Sequence, residues 1–498
     1  MRLKAILLTL LTILTVINYT MVSYGAVYSE EYDFENTIFI DYETSKVSIN
    51  GKIVDFKKVY STPVIIKNGR AFVPVRFLAE EMGADVLWDG EEFLATVILN
   101  GSTAKFYIRT KLIEVDGNKI ESDVNVENIN GRIFVPLRFF AENIMKKAIY
   151  YYNSMAAIGD KEEIASLEKE NYVFYEMQSK IRNYSDRPLF LISENDLYGF
   201  IYSNGEIAIE PKFRYAENFK EGLALARGDN GKYGYINEKG EWEIEPQFDF
   251  VQHSFNQGIS TVYKSGEKYS ININGERLGL SPYLVYGEGI AMTEIDGCWT
   301  LVYKDGSTVK CEGYQPLIYF SEGRARIEGE NGKYGYIDGD GNIVVEPKYE
   351  RSENFNEGLA VVKFSEENDS WGYINRNGEV VIEPKFEWAA YFHEGLAAVQ
   401  YKGKYGYIDK SGNFVIEPQF DLALDFSEGY AKVFIDGKEV FINRKGEVVI
   451  DMEMTSADYF HNGLSYVCSR EQGKTGYIDK NGNWVWYRKF EESDLGLY

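Results

Sequence analysis

Cysteine, histidine and proline are all scarce in this chain of 498 residues, at 3, 3 and 11 copies. Cys298, Cys311 and Cys468 include no C-x-x-C pair, which excludes a disulfide framework and a cysteine-built zinc module. Cys298 and Cys311 lie in one irregular stretch and either pair or serve as incidental packing residues, the second reading being favoured. His253, His393 and His461 contain no H-x-x-x-H pair and fall on separate segments, so they read as solvated turn residues and no metal or other cofactor is expected. Positive charge is also short: 53 basic residues stand against 77 acidic ones, a formal net of −24. That field repels nucleic acid and anionic lipid, so neither is an expected partner. Long apolar runs are missing except one, Ala5 to Val16, which is preceded by Arg2 and Lys4 and followed by the small residues of Ser23-Tyr-Gly-Ala26. Residues 1–25 therefore read as a signal peptide, with an uncleaved anchor as the rival. The expected destination is the cell surface or the extracellular space, without membrane insertion after cleavage.

What the chain does have is aromatic surface and repetition. It carries 39 Tyr and 30 Phe, a composition suited to half-buried strands. Gly231-Lys-Tyr-Gly-Tyr-Ile-Asn237 recurs nearly unchanged at Gly332 and Gly403, and more loosely from Leu197, Gly266, Gly297, Ser370, Gly437 and Gly473. Nine such units of roughly 35 residues must stack to bury a core. Each reads as three strands with a tight turn of the Asn237-Glu-Lys-Gly240 kind before the third. The turn glycines Gly240, Gly341, Gly378, Gly412, Gly446 and Gly482 are expected to be structural, in a left-handed conformation. Glu-Pro at Pro211, Pro246, Pro347, Pro384 and Pro418 is expected to close the third strand, and a Phe-x-x-Gly turn follows.

The first part is built differently. Asn68-Gly-Arg-Ala-Phe-Val-Pro-Val-Arg-Phe-Leu-Ala-Glu80 recurs as Asn130-Gly-Arg-Ile-Phe-Val-Pro-Leu-Arg-Phe-Phe-Ala-Glu142. Pro74 and Pro136 suit a first helical turn, and Gly83 a helix end. These paired motifs, with Gly83-Ala-Asp-Val-Leu-Trp-Asp89 behind the first, resemble the copper amine oxidase N-terminal-like domain. The resemblance implies a small α+β accessory module over 38–152, acting as a spacer or surface module. Asn143-Ile-Met-Lys-Lys-Ala departs from the pattern and leaves the strand behind the second motif in question. Residues 153–187 read as a helical linker, 188–490 as the repeat array and 491–498 as a tail. The array resembles the WG-repeat family of bacterial proteins, with Tyr in place of Trp except at Trp371-Gly372. The fold class expected is mainly β with a small α+β domain. An open twisted array is favoured over a β-propeller, because three strands are few for a blade and no strand is left over to join the ends.

No catalytic motif appears. The Asn-Tyr-[Asp/Glu] cofactor segment and histidine triad of the amine oxidases are missing: Asn171-Tyr is followed by Val173 and Asn183-Tyr by Ser185. Asp338-Gly-Asp-Gly-Asn342 starts like a calcium loop but has Ile343 and Tyr349 where glycine and glutamate are required. Trp242, Trp388, Trp484 and Trp486 depart from the repeat and are candidate ligand-stacking residues, against packing between units as the plainer reading. The leading expectation is a non-enzymatic protein that binds an extracellular glycan or surface protein. An envelope-polysaccharide hydrolase with a carboxylate pair and a structural spacer are the alternatives.

Overall fold

The computed structural model describes residues 37–494, apart from 43, 50, 56–63, 68–69, 100, 123–124, 130–131, 153–154, 170–171, 186, 282–283, 285, 304–305, 366–369 and 492–493. Residues 1–25, read above as a signal peptide, and 495–498 of the tail lie outside the described residues. Two compact parts result, an N-terminal domain over Tyr32–Tyr184 and a repeat domain from Ser185 onward.

In the N-terminal domain the two copies of the motif meet directly. Arg70–Pro74 and Arg132–Pro136 pair antiparallel, with Phe134 opposite Pro74 and Pro136 opposite Phe72. Each strand runs through its proline into a helix, α1 at Val75–Glu81 and α2 at Leu137–Phe139, the second widening into a π-turn at Phe140–Met145. Proline's fixed φ suits that entry, and its missing N–H would have had no helical partner. Gly83 ends α1 at φ +76 with its N–H on the Glu80 carbonyl, 2.9 Å away. The second copy uses Lys146 at φ +58 for the same reversal and still returns into a strand, Ala148–Tyr152. Phe77, Leu78, Val135, Leu137 and Phe140 fill the core between them.

The stretch 153–187, read as a connector, belongs to this domain for the most part. Met155–Gly159 is a central strand of a five-stranded sheet, beside Ile38–Asp41. Helices α3 (Lys161–Lys169) and α4 (Tyr172–Asn183) lay Ile164, Leu167, Phe174, Met177 and Ile181 against Phe39, Ile53 and Ala157. Arg182, 1% exposed, forms a two-pronged bond to the buried Asp41 at 2.9 and 3.1 Å. An ion pair so buried holds only while both partners stay matched, which ties α4 to the sheet.

Among the described residues the repeat domain is nine small antiparallel sheets in chain order, and none of them closes on itself as a barrel. We number these units 1 to 9. Units 5 to 9 have four strands, the first being the segment before the Phe-x-x-Gly turn: Tyr314–Ser321, Arg351–Asn356, Trp388–His393, Leu422–Ser427 and Ser456–Ala457; in three-stranded unit 3 the same segment, Phe250–Asn256, is a strand as well. From unit 5 to unit 8 these first strands touch one another from sheet to sheet, which makes them the inner edge of the array.

Proline does not stop the outer strand. In unit 6, Tyr373 faces Ile382 and Trp371 faces Phe386, so the outer strand carries two extra residues between matched pairs. Pro384 sits in that bulge, where no N–H is required, and pairing resumes beyond it. The bulge presses backbone against the Gly-Tyr strand: a Cβ on Gly372 would stand 2.5 Å from the Ile382 carbonyl oxygen. Glycine is there because the neighbouring main chain occupies the side-chain position.

Units are joined by the same few contacts. The Gly-Tyr ring packs on the next unit's Phe-x-x-Gly phenylalanine: Tyr336 on Phe355, Tyr373 on Phe392 and Tyr407 on Phe426, with ring centroids 4.7–4.9 Å apart. The tyrosine hydroxyl donates to the next unit's inner strand, at Glu353 O, Ala390 O and Leu424 O, over 2.6–2.8 Å. The turn glycine sits against the preceding unit's outer strand, Gly412 on Ile382 and Gly446 on Ile416.

Units 9 and 1 are joined likewise. Tyr477 packs on Phe190 at 5.3 Å and donates to Leu191 O at 2.9 Å, Gly205 meets Val485, and Phe190, Ile192, Ile201, Leu464 and Tyr477 share one cluster. The mainly β tandem array stands, but its ends meet. The favoured open form gives way to the propeller-like ring, closed by side chains without any exchange of strands. One joint differs. Gly306 of unit 4 has nothing within 4 Å, and among the described residues no hydrophobic cluster links units 3 and 4.

Candidate functional site on the inner strands

Each inner strand leads into a Phe-x-x-Gly turn whose last two residues are both left-handed, as in Glu357 (φ +51) and Gly358 (φ +84). This is a type I′ geometry, which the right-handed twist of a hairpin favours. The glutamate of that turn serves the ring. Glu221, Glu288, Glu322, Glu357, Glu394 and Glu428 each accept a hydrogen bond from the corresponding glycine N–H of the next unit, at 2.8–2.9 Å. Glu288 also takes the Glu322 N–H, and burial pushes its carboxyl up to about 8 against the pull of those two donors. Gln257 and Asn462 stand where the other units have glutamate.

With Phe, Glu and Gly accounted for as joints, the remaining inner-strand positions stand out. The residues just before the phenylalanine are Glu353-Asn354, Ala390-Tyr391, Leu424-Asp425 and Asp458-Tyr459 in units 6 to 9, and His393 and His461 follow it in units 7 and 9. They interact across units. Tyr391 Oη donates to Glu353 Oε2 at 2.9 Å, and Arg326 Nη1 lies 3.3 Å from the same oxygen. His393 Nε2 is 3.5 Å from Asp425 Oδ2 and 3.4 Å from Asn356 Nδ2. Lys432 pairs with Glu439 at 3.3 Å and holds its ammonium 5.4 Å from the Tyr459 ring centroid.

These groups are both enclosed and wet. Protein surrounds Asp425, which pushes its carboxyl upward with His393 opposing, yet 28% of the side chain stays open. Asp458 is open to water as well, and the crowding around it drives its carboxyl up to about 6 while Lys432 pulls down and Glu439 adds. Burial raises the Tyr391 and Tyr459 hydroxyls, with Glu353 and Asp425 reinforcing the shift. Burial lowers His461. Among the described residues no group of three His, Cys, Asp or Glu is placed to hold a metal ion, and the three cysteines are free.

The tryptophans chosen from sequence lie apart from one another: Trp388 begins the unit 7 inner strand, and Trp242, Trp484 and Trp486 are on outer strands. Trp242 packs edge-on against Phe213 at 5.7 Å, Trp388 against Tyr405 at 5.7 Å, and Trp484 against Tyr487 at 5.8 Å with its Nε1 donating to Gln472. Trp486 lines the cluster that joins units 9 and 1. All four are half-buried. The turn glycines Gly240, Gly341, Gly378, Gly412, Gly446 and Gly482 have φ between +74 and +84. Asn237 shows the turn's construction, its Oδ1 accepting from Lys239 N and Glu241 N. Sequence reasoning passed over Asp425, Glu353, Tyr391, Asp458 and Tyr459. Their signal was to be polar or aromatic at positions where the repeat itself makes no demand.

Residues 36–154 match the copper amine oxidase N-terminal domain, and 198–233, 233–269, 334–366, 371–405, 405–438 and 441–471 each match the WG containing repeat. The chain thus carries a segment that matches the copper amine oxidase N-terminal domain, followed by six that match the WG repeat. The unmatched gap between the second and third of the WG stretches holds the irregular unit 4. No curated protein matches the chain by sequence. Among solved structures, a eukaryotic initiation factor aligns over 62% of this chain and 96% of its own at 12% identity, TM-score 0.43. BamB from Moraxella catarrhalis aligns over 56% and 91% at 11% identity, TM-score 0.28, and apo AztD from Citrobacter koseri over 54% and 92% at 13% identity, TM-score 0.29. Among the described residues no helix is long and apolar enough to cross a membrane.

Proposed function

We propose that this protein is a non-catalytic binding or scaffold protein of the cell exterior, whose WG-repeat ring engages an extracellular glycan or surface protein. One observation carries the reading: the residues that recur serve the joints of the ring, while the wet, enclosed polar groups of units 6 to 9 do not recur. A scaffold repeated for stability and varied along one edge is the pattern of a recognition surface. The N-terminal domain would act as the module that carries the ring outward. The test is retention of the purified full-length protein on isolated cell-wall glycan and, separately, on immobilised surface proteins. Saturable retention on one support at micromolar concentration, lost on boiling the protein, is the expected result. Failure on both supports removes the reading.

A further inference from the structure

Resting on that binding role, we propose that the inner strands of units 6 to 9 recognise a primary ammonium group, carried by a lysine side chain or by a small polyamine. Asp425 supplies the charge. Glu353 and Glu439 already have cations of their own, Arg326 at 3.3 Å and Lys432 at 3.3 Å, but among the described residues the only cationic partner of Asp425 is His393, at 3.5 Å. The carboxylate thus lies in an enclosure of tyrosines without a permanent counter-charge. The phenols of Tyr373, Tyr407 and Tyr459 all sense it electrostatically, and Tyr373 and Tyr407 spend their protons elsewhere, on Ala390 O and Leu424 O.

A second observation comes from Asn356, which shares His393 Nε2 with Asp425. Asn356, 7% exposed, gives its amide N–H to Phe392 O at 2.8 Å and reaches His393 Nε2 at 3.4 Å, while its buried Oδ1 has no hydrogen-bond partner. A buried acceptor left unpaired is costly, and an ammonium brings three donors. The aromatic walls suit the same guest, since a cation over a phenol face is attracted by the ring quadrupole. The chain demonstrates this itself where Lys432 lies over Tyr459. Anionic and neutral guests fit worse: a second negative charge would meet Asp425, with Asp458 also acting on the same Tyr459, and a neutral one would leave Asp425 uncompensated.

The experiment is calorimetric titration of the full-length protein with cadaverine, with a lysine-containing pentapeptide, and with that pentapeptide acetylated on its lysine and N-terminus. Cadaverine and the free peptide separate the two sources of the ammonium. Binding by either, with at least tenfold loss on acetylation in the peptide arm, is expected. Asp425→Asn should lower the affinity by roughly tenfold, as removal of one enclosed charge pair would. Glu383→Gln, on an exposed outer-strand acid, should leave it unchanged. Equal affinity for acetylated and free peptide overturns the proposal, and that comparison requires no variant. Equal weakening by Asp425→Asn and Glu383→Gln also overturns it, since it would mean diffuse attraction to an acidic chain. Should Asp425→Asn lose ammonium binding but keep its retention on glycan or surface protein, the ammonium site stands as a separate one. Should the wild type bind no ammonium and yet be retained, only this inference falls.

Discussion

Replacing Glu357 tests whether the glutamate-to-glycine bonds hold the ring together. Its carboxylate is 3% exposed, accepts the Gly395 N–H at 2.9 Å and has Lys410 Nζ at 3.5 Å. A hydrogen bond to a charged group contributes about 1.5–3 kcal/mol. Glu357→Gln keeps an acceptor of the same shape and loses the charge, so about 1 kcal/mol should go. Glu357→Ala strands both the Gly395 N–H and Lys410, and about 2–3 kcal/mol should go. Glu428 makes the equivalent bond to Gly463 at 2.8 Å, but it is 29% exposed and its Lys480 partner is 37% exposed. Water replaces much of what is lost there, so Glu428→Gln should cost well under 1 kcal/mol. Urea titration of the full chain gives the order of the three variants, and amide exchange at Gly395 and Gly463 locates the effect. The joint is refuted if Glu357→Ala and Glu428→Gln cost the same, or if exchange at Gly395 does not quicken in Glu357→Ala.

Three further outcomes follow from the geometry. Gly406→Ala places a Cβ 2.5 Å from the Ile416 carbonyl oxygen, so the bulge must shift, at about 2–4 kcal/mol by urea midpoint; a change below 0.5 kcal/mol would deny the close approach. Arg182→Ala removes both prongs of the guanidinium from the buried Asp41 and should cost the N-terminal domain about 3–5 kcal/mol, seen as a separate, earlier thermal transition; an unchanged trace would detach α4 from the sheet. The Asp458 carboxyl is raised from 3.8 to about 6, so the folded chain keeps a proton that the unfolded chain has lost. Stability should therefore fall as pH climbs from about 4 to about 6 and then level off. In Asp458→Asn that part of the slope disappears from a plot of Tm against pH, and persistence of the full slope would assign it to another group.

The turns were legible because their chemistry is local: Asn237 caps its own turn and Gly240 needs a left-handed φ wherever the chain goes next. The duplicated N-terminal motif was legible for the same reason, and Pro74 stands at the entry to α1. What was hidden depends on distant partners. The inner strand escaped notice because Asp425 or Tyr391 takes its place by contact with another unit, which erases the two-residue alternation of a sheet with one wet face. Ring closure could not be read from the ends of the array, since Tyr477 and Leu191 meet across 286 positions through a hydroxyl and no shared strand. The helices after Gly159 were visible as helix formers, but Ile164, Phe174 and Ile181 reveal their purpose only once Phe39 lies beneath them. Pro384 misled because a bulge excuses a proline that a regular ladder would not.

Among the described residues, apolar clusters stitch every joint of the circle but the one between units 3 and 4, where it resembles a spring with a slit. Clusters of described residues run from unit 4 through unit 9 and round to unit 3, and a Cβ on Gly306 would meet nothing within 4 Å. Breathing of the circumference should concentrate at that joint, where no such cluster has to be parted. The tyrosines and acids on the far arc keep their spacing while the diameter changes.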